Sequence, residues 1–201
     1  MNQLSLLDIN PTPVAADDFI KAVAGFSDLG RRTQCETLDG IQYYINEFWT
    51  AGQRKSHSIH EVSYRACFKA QLPAFFISRL SASGDIVHDP FMGRGTTPVQ
   101  AALMGRMASG NDINPLSVLL TRPRLRPINT DEVKAALADI DFKAGKVRRD
   151  DLLAFYHPET LKGLESLRDW LASNAPLEKK DPDPVADWIR MVSINRLSGH
   201  S

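Results

Sequence analysis

Ile86-Val87-His88-Asp89-Pro90-Phe91-Met92-Gly93-Arg94-Gly95-Thr96-Thr97 (residues 86–97) is the stretch that decides the fold. Its first residues form a short apolar run after the turn-forming pair Gly84-Asp85, and it breaks into a glycine-rich loop, the pattern of a buried strand ending at a tight turn. Residues 98–107 (PVQAALMGRM) continue as a helix, and residues 108–113 (ASGNDI) as a second short strand closed by Asn114 and Pro115. Strand, glycine turn, helix and strand in that order make a βαβ unit, which starts a parallel sheet and an α/β fold.

In such a sheet a ligand sits beyond the carboxyl end of a strand, where the loop meets a helix N-terminus. Gly93 and Gly95 carry no Cβ and let backbone approach a ligand closely, while Thr96 and Thr97 can cap the helix or offer hydroxyls. A G-x-G turn also serves simply to reverse a chain. Asp112 falls 19 residues after Gly93, close to the spacing at which an acid reaches ribose hydroxyls. The loop has no Gly-Lys-Ser/Thr ending, so it does not read as a triphosphate site. Asp89 ahead of the glycines would repel a pyrophosphate and attract an ammonium group. A ligand with an amino group, a sulfonium, ribose hydroxyls and no phosphate fits this set, and S-adenosylmethionine is such a molecule.

DPFMGRGTT (89–97) followed by GNDINP (110–115) resembles motifs I and II of the amino-group DNA methyltransferases, which act on cytosine N4 or adenine N6. The resemblance implies a Rossmann-like S-adenosylmethionine-dependent methyltransferase fold. It also implies a cofactor site in which Asp89, Phe91, Gly93 and Gly95 wrap the methionine part and Asp112 holds the ribose, with Pro90, Thr96 and Thr97 of the same loop as further cofactor-binding candidates. HSIHEVSYRACFKAQLPAFFISRL (57–80) is similar to motif X of the family, which helps close the cofactor pocket, and suggests Tyr64, Phe68, Lys69 and Pro73. DNA is the implied partner. Two rival readings are a methyltransferase acting on a guanine amino group of RNA, which can share the loop, and an inactive DNA-binding or regulatory subunit.

Transfer to an exocyclic amine needs the base turned out, its amino group held by acceptors and its ring stacked on an aromatic. The family does this with a Ser/Asp/Asn-Pro-Pro-aromatic tetrapeptide, and none occurs in the 201 residues. The expectation is therefore an incomplete methyltransferase fold with helical flanks and no catalytic residue of its own. It would be a truncated frame, or one half of a split enzyme whose second chain carries the motif.

Outward from this centre, residues 1–15 read as an irregular lead-in with Pro11 and Pro13. Phe19, Ala22, Val23 and Phe26 recur at helical spacing, and so do Ile41, Tyr44, Ile45 and Phe48, which predicts two short helices separated by the polar stretch Arg31 to Thr37. Pro73 suits the first turn of a helix burying Phe76, Ile77 and Leu80, with Phe75 and Phe76 assigned to the core. After Leu125 three helices follow. One is capped by Asn129 or Thr130 with Val133, Leu137 and Ile140 on a face, and one opens at Pro158 with Leu161, Leu164, Leu167 and Leu171. The last starts near Pro184 and buries Val185, Trp188, Ile189 and Val192. Lys179 to Pro184 reads as a linker. The organisation expected is a helical lead-in over 1–50, a cofactor-binding α/β core over 51–128, and a helical segment over 129–201.

Lys plus Arg equal Asp plus Glu at 24 each, so any nucleic-acid contact rests on local patches such as Arg122, Arg124 and Arg126 or Lys146, Arg148 and Arg149. Such clusters are more often solvated faces. Cys35 and Cys67 make neither a disulfide framework nor a metal set, and His57 and His60 lack a third ligand. No apolar run approaches the roughly 18 residues that span a bilayer. A reducing cytoplasm is the expected setting.

Overall fold

The computed structural model describes residues 15–48, 57–64 and 67–197, which form two compact units dividing between Thr121 and Arg122. Of the irregular lead-in expected over 1–15, residues 1–14 lie outside the described residues.

The first unit opens with helix α1 (Ala16–Ala24), as its apolar spacing predicts. The second helix expected there is instead an antiparallel hairpin of β1 (Gln34–Leu38) and β2 (Ile41–Ile45), with Leu38 opposite Ile41. Two features outweigh the helical spacing of Ile41, Tyr44 and Ile45. IQYYI is rich in aromatic and β-branched residues, and Asp39-Gly40 takes positive φ at both positions, 52° and 80°, as a two-residue hairpin turn requires. Tyr44 points to the unit's aromatic core, where Phe19, Leu29 and Phe48 also pack around Val23, Phe26 and Phe75.

Helix α2 (Gln71–Leu80) carries Pro73 in its first turn and buries Pro73, Phe75 and Ile77. Phe76 and Leu80, expected inside, are 38% and 47% exposed. Helix α2 packs against α1 and α3, and the Phe76 ring lies 6.1 Å from that of Phe19 and 5.3 Å from that of Phe75.

The βαβ unit is present as β3 (Ile86–Asp89), α3 (Thr96–Leu103) and β4 (Met107–Gly110), followed by α4 (Pro115–Thr121). The strands are parallel, with Ile86 beside Met107 and Asp89 beside Gly110. The reading of β3 as a buried strand needs correction. Its exposure alternates, because α3 covers one face while Ile86 and His88 on the other remain exposed.

In the second unit, α5 (Thr130–Ala138) starts at Asn129 through a capping box with Glu132. Helix α6 (Pro158–Asn174) buries Leu161, and Leu164, Leu167 and Leu171 are half-buried. Helix α7 (Pro184–Leu197) buries Ala186, Asp187, Ile189, Arg190 and Met191. Val185 and Trp188 are only half-buried and Val192 is 41% exposed, a second correction. The cause is an internal ion pair: Arg122 donates twice to the Asp187 carboxylate, at 2.7 and 2.8 Å, and draws that face of the helix inward. Lys179 to Pro184 is not a free linker. Asp181 pairs with Arg126 at 2.6 Å, Pro182 is buried, and the Asp183 carboxylate caps α7 by accepting the Ala186 amide.

Candidate functional site

Chain reversal after β3 is built by the backbone itself. The Met92 amide donates to the Asn111 carbonyl at 3.0 Å, Asn111 donates back to Asp89 at 2.9 Å, and the Gly95 amide closes the turn on the Met92 carbonyl at 2.7 Å. The segments leaving β3 and β4 thus stay side by side past the last paired residues. Asp89 accepts the Phe91 amide at 3.0 Å through one carboxylate oxygen, which stiffens the start of the loop.

Gly95 sits at the N-cap of α3 with φ 81°, a left-handed conformation. A Cβ there would lie 2.2 Å from Thr121 Oγ1. Both the backbone and the close approach of α4 therefore demand glycine. Gly93 also has positive φ, 52°, but a Cβ would meet only the edge of the Tyr64 ring at 3.6 Å. Neither Thr96 nor Thr97 caps the helix, contrary to one expectation for them. Thr96 is buried and its hydroxyl accepts from Arg94 Nε at 3.1 Å, while Thr97 is half-buried.

Asp112 is the joint between the two segments. One carboxylate oxygen accepts the Asn114 amide and the other the Gly93 amide, each at 2.8 Å. These two N–H groups, Asn114 first, hold its carboxyl below the usual carboxylate range. A carboxylate has about four acceptor positions, which the two backbone donors do not exhaust.

The segment from His57 to Tyr64 lies against this loop. His60, buried, pairs with Gln100 of α3 at 3.1 Å between Nε2 and Oε1. Tyr64 stands beside Gly93, and its hydroxyl accepts from Asn114 Nδ2 at 3.4 Å. Lys69 is exposed in the turn leading into α2, Phe68 is 43% exposed, and Pro73 is buried in α2. The structure therefore gathers Asp89, Pro90, Phe91, Gly93, Gly95, Thr96, Thr97, Asp112 and Tyr64 around one loop.

Two apolar side chains stand in solvent at this edge: Phe91 is 86% exposed and Ile113 fully so, at 101%. Sequence reasoning named Phe91 and missed Ile113, Asn114 and Arg94. An isolated isoleucine between Asp112 and Asn114 carries no periodic signal, and the arginine between two glycines reads as a variable position. The cations named as phosphate candidates are mostly occupied. Arg122 and Arg126 hold Asp187 and Asp181, Arg148 holds Asp169, Arg149 holds Asp151, and Arg124 is buried. Among the described residues no helix is long and apolar enough to cross a membrane, and no His, Cys, Asp and Glu group has metal-site geometry.

The site is thus an α/β unit with a glycine turn braced by the carboxylate after the second strand. Residues 30–121 match the DNA methylase family model. Over 84 residues the chain is 39% identical to Type II methyltransferase M.MjaII of Methanocaldococcus jannaschii, covering 42% of this chain and 16% of that one. It is 36% identical over 56 residues to Type II methyltransferase M.MvaI of Kocuria varians, covering 28% and 12%. With Type II methyltransferase M.BsoBI of Geobacillus stearothermophilus it shares 33% over 90 residues, covering 43% and 18%. The chain thus spans less than a fifth of the length of these curated relatives. No solved structure matches. By these matches residues 30–121 are similar to the DNA methylase family.

Proposed function

We propose that residues 57–121 form the S-adenosylmethionine site of a DNA methyltransferase acting on cytosine N4 or adenine N6, within a Rossmann-like fold. The observation that carries this reading is the pair of solvent-standing apolar side chains, Phe91 and Ile113, beside two carboxylates, Asp89 and Asp112, on one edge of the parallel strands. An exposed aromatic and an exposed isoleucine flanking acceptors suit a flat heterocycle with a ribose attached.

In this assignment Asp112 accepts ribose hydroxyls through the oxygens that already hold Gly93 and Asn114. Asp89 faces the cationic methionine end, and the bare backbone at Gly93 and Gly95 lets the ligand lie close to the loop. Tyr64 borders the same space over Gly93. S-adenosylmethionine supplies a methyl group already activated on a sulfonium. Positioning of an amine acceptor requires the Pro-Pro-aromatic element, which the 201 residues do not contain, so sequence outside them, in this polypeptide or a second one, supplies it. The family model that matches is described as a DNA methylase, which supports DNA over a guanine amino group of RNA as the substrate, and a cytoplasmic setting goes with this reading.

Ultraviolet irradiation of the chain with methyl-labelled S-adenosylmethionine tests the site. Label is expected in the peptides bearing Phe91 and Ile113, and excess unlabelled cofactor should compete it away. Label spread evenly over both units, or none, refutes the assignment.

A further inference from the structure

Arg94 occupies the variable place in Gly93-Arg94-Gly95, yet its side chain does not point away from the fold. Nε donates to the Thr96 hydroxyl at 3.1 Å, Nη1 to the Val62 carbonyl at 3.1 Å and Nη2 to the Phe68 carbonyl at 3.4 Å. Two backbone carbonyls six residues apart, on either side of Tyr64, are thus joined to the glycine loop by one planar group. Thr96, the third partner, is buried at the first turn of α3, so the guanidinium plane is anchored at its root. An arginine fork can span several acceptors at fixed angles, whereas a lysine ammonium is a point donor.

The same segment is tied at two further points, through His60 to Gln100 and through the Tyr64 hydroxyl to Asn114. Asn114 is in turn the residue whose amide holds Asp112. A connected path therefore runs from Arg94 through the Tyr64 segment to Asn114 and the Asp112 carboxylate. We infer that Arg94 is a positioning residue for the cofactor, clasping the segment around Tyr64 against the glycine loop so that the ring stands over Gly93. The inference rests on the cofactor reading above, but it concerns a residue to which that reading gives no role.

Its test uses the full chain, isothermal titration with S-adenosylmethionine, and hydrogen exchange of the peptide around Tyr64. Arg94→Lys keeps the charge and removes the fork, and Arg94→Met removes both. The wild type should bind. Both variants should keep their helical circular dichroism, bind at least about tenfold more weakly and exchange faster around Tyr64. Tyr64→Phe should weaken wild-type binding but cost little further in the Arg94→Met background, since the clasp that orients the ring is already gone.

Absence of binding in the wild type would sink the cofactor reading itself. Wild-type binding with affinity in Arg94→Lys and Arg94→Met unchanged within twofold would overturn the clasp and leave that reading standing. Additive losses in the double variant would also overturn it, because Arg94 would then act independently of Tyr64. Collapse of the helical signal in both variants would assign Arg94 to the stability of the fold and overturn it as well.

Discussion

The Gly93 amide donates to the Asp112 carboxylate at 2.8 Å, binding the turn after β3 to the residue that follows β4. Because the Asn114 amide holds the other oxygen, a single ionised side chain organises both segments on which the proposed site is built.

That bond fixes a pH dependence. The Asp112 carboxyl is held below its ordinary value, so its folded pKa lies under its unfolded one. Such a group contributes stability that is present above the unfolded pKa and lost as pH falls through the folded pKa. Unfolding of the wild type should therefore show the Asp112 contribution fully present and constant across the neutral range, and lost in acid as pH falls below the usual carboxylate range. Asp112→Asn should lack that acid step, and comparison of urea midpoints across an acid series checks it.

Gly95→Ala should cost more than Gly93→Ala, although both residues have positive φ. At Gly93 a methyl group meets only Tyr64 at ordinary contact, leaving backbone strain of about 1–2 kcal/mol. At Gly95 it collides with Thr121 as well, and the overpacking adds about 1–3 kcal/mol. Urea denaturation of the two variants reads the order directly, and equal losses would contradict the close packing of α4 on the loop.

In the second unit, Asp187→Ala should destabilise by about 3–5 kcal/mol, because it strands the Arg122 guanidinium without its counter-charge. Asp187 is 1% exposed and receives both Arg122 bonds, and the buried Arg190 lies close by. Thermal unfolding measures the loss. A change under about 1 kcal/mol, typical of exposed pairs, would show that the pair is open to water.

Residues 1–201 alone should transfer no methyl label to unmethylated DNA. Positioning the acceptor contributes about 7–11 kcal/mol where it is fully developed, and the tetrapeptide that would position the amine is not among these residues. Scintillation counting of DNA after incubation with labelled cofactor checks it, with and without a polypeptide carrying the motif. Label entering DNA from the chain alone would mean that other residues here hold the base.

How much was legible in the sequence differed by region. The βαβ unit could be read because its glycines, strand runs and Asp112 spacing are local signals, and the structure brings those residues to one edge. The segment fits either reading, because Ile41, Tyr44 and Ile45 fall at helical spacing while Ile41, Tyr43 and Ile45 fall at the strand period of two. The Asp39-Gly40 turn, which decides between them, was not weighed. Asp187 and Arg190 were missed inside α7 because charged residues are assigned to solvent unless a partner is known, and Arg122 is 65 residues away in sequence. Arg94 and Ile113 were missed for a related reason. Their roles come from contact or exposure in three dimensions, and neither lies in a repeating pattern.

Calorimetric titration of the chain with S-adenosylmethionine, set beside the same titration of Asp112→Ala, tests the central claim most directly. Saturable binding near one to one is predicted for the wild type, with affinity at least about tenfold lower in the variant, since the acceptors for ligand hydroxyls are lost. No heat in the wild type, or the same affinity in both proteins, would contradict the cofactor site at this loop.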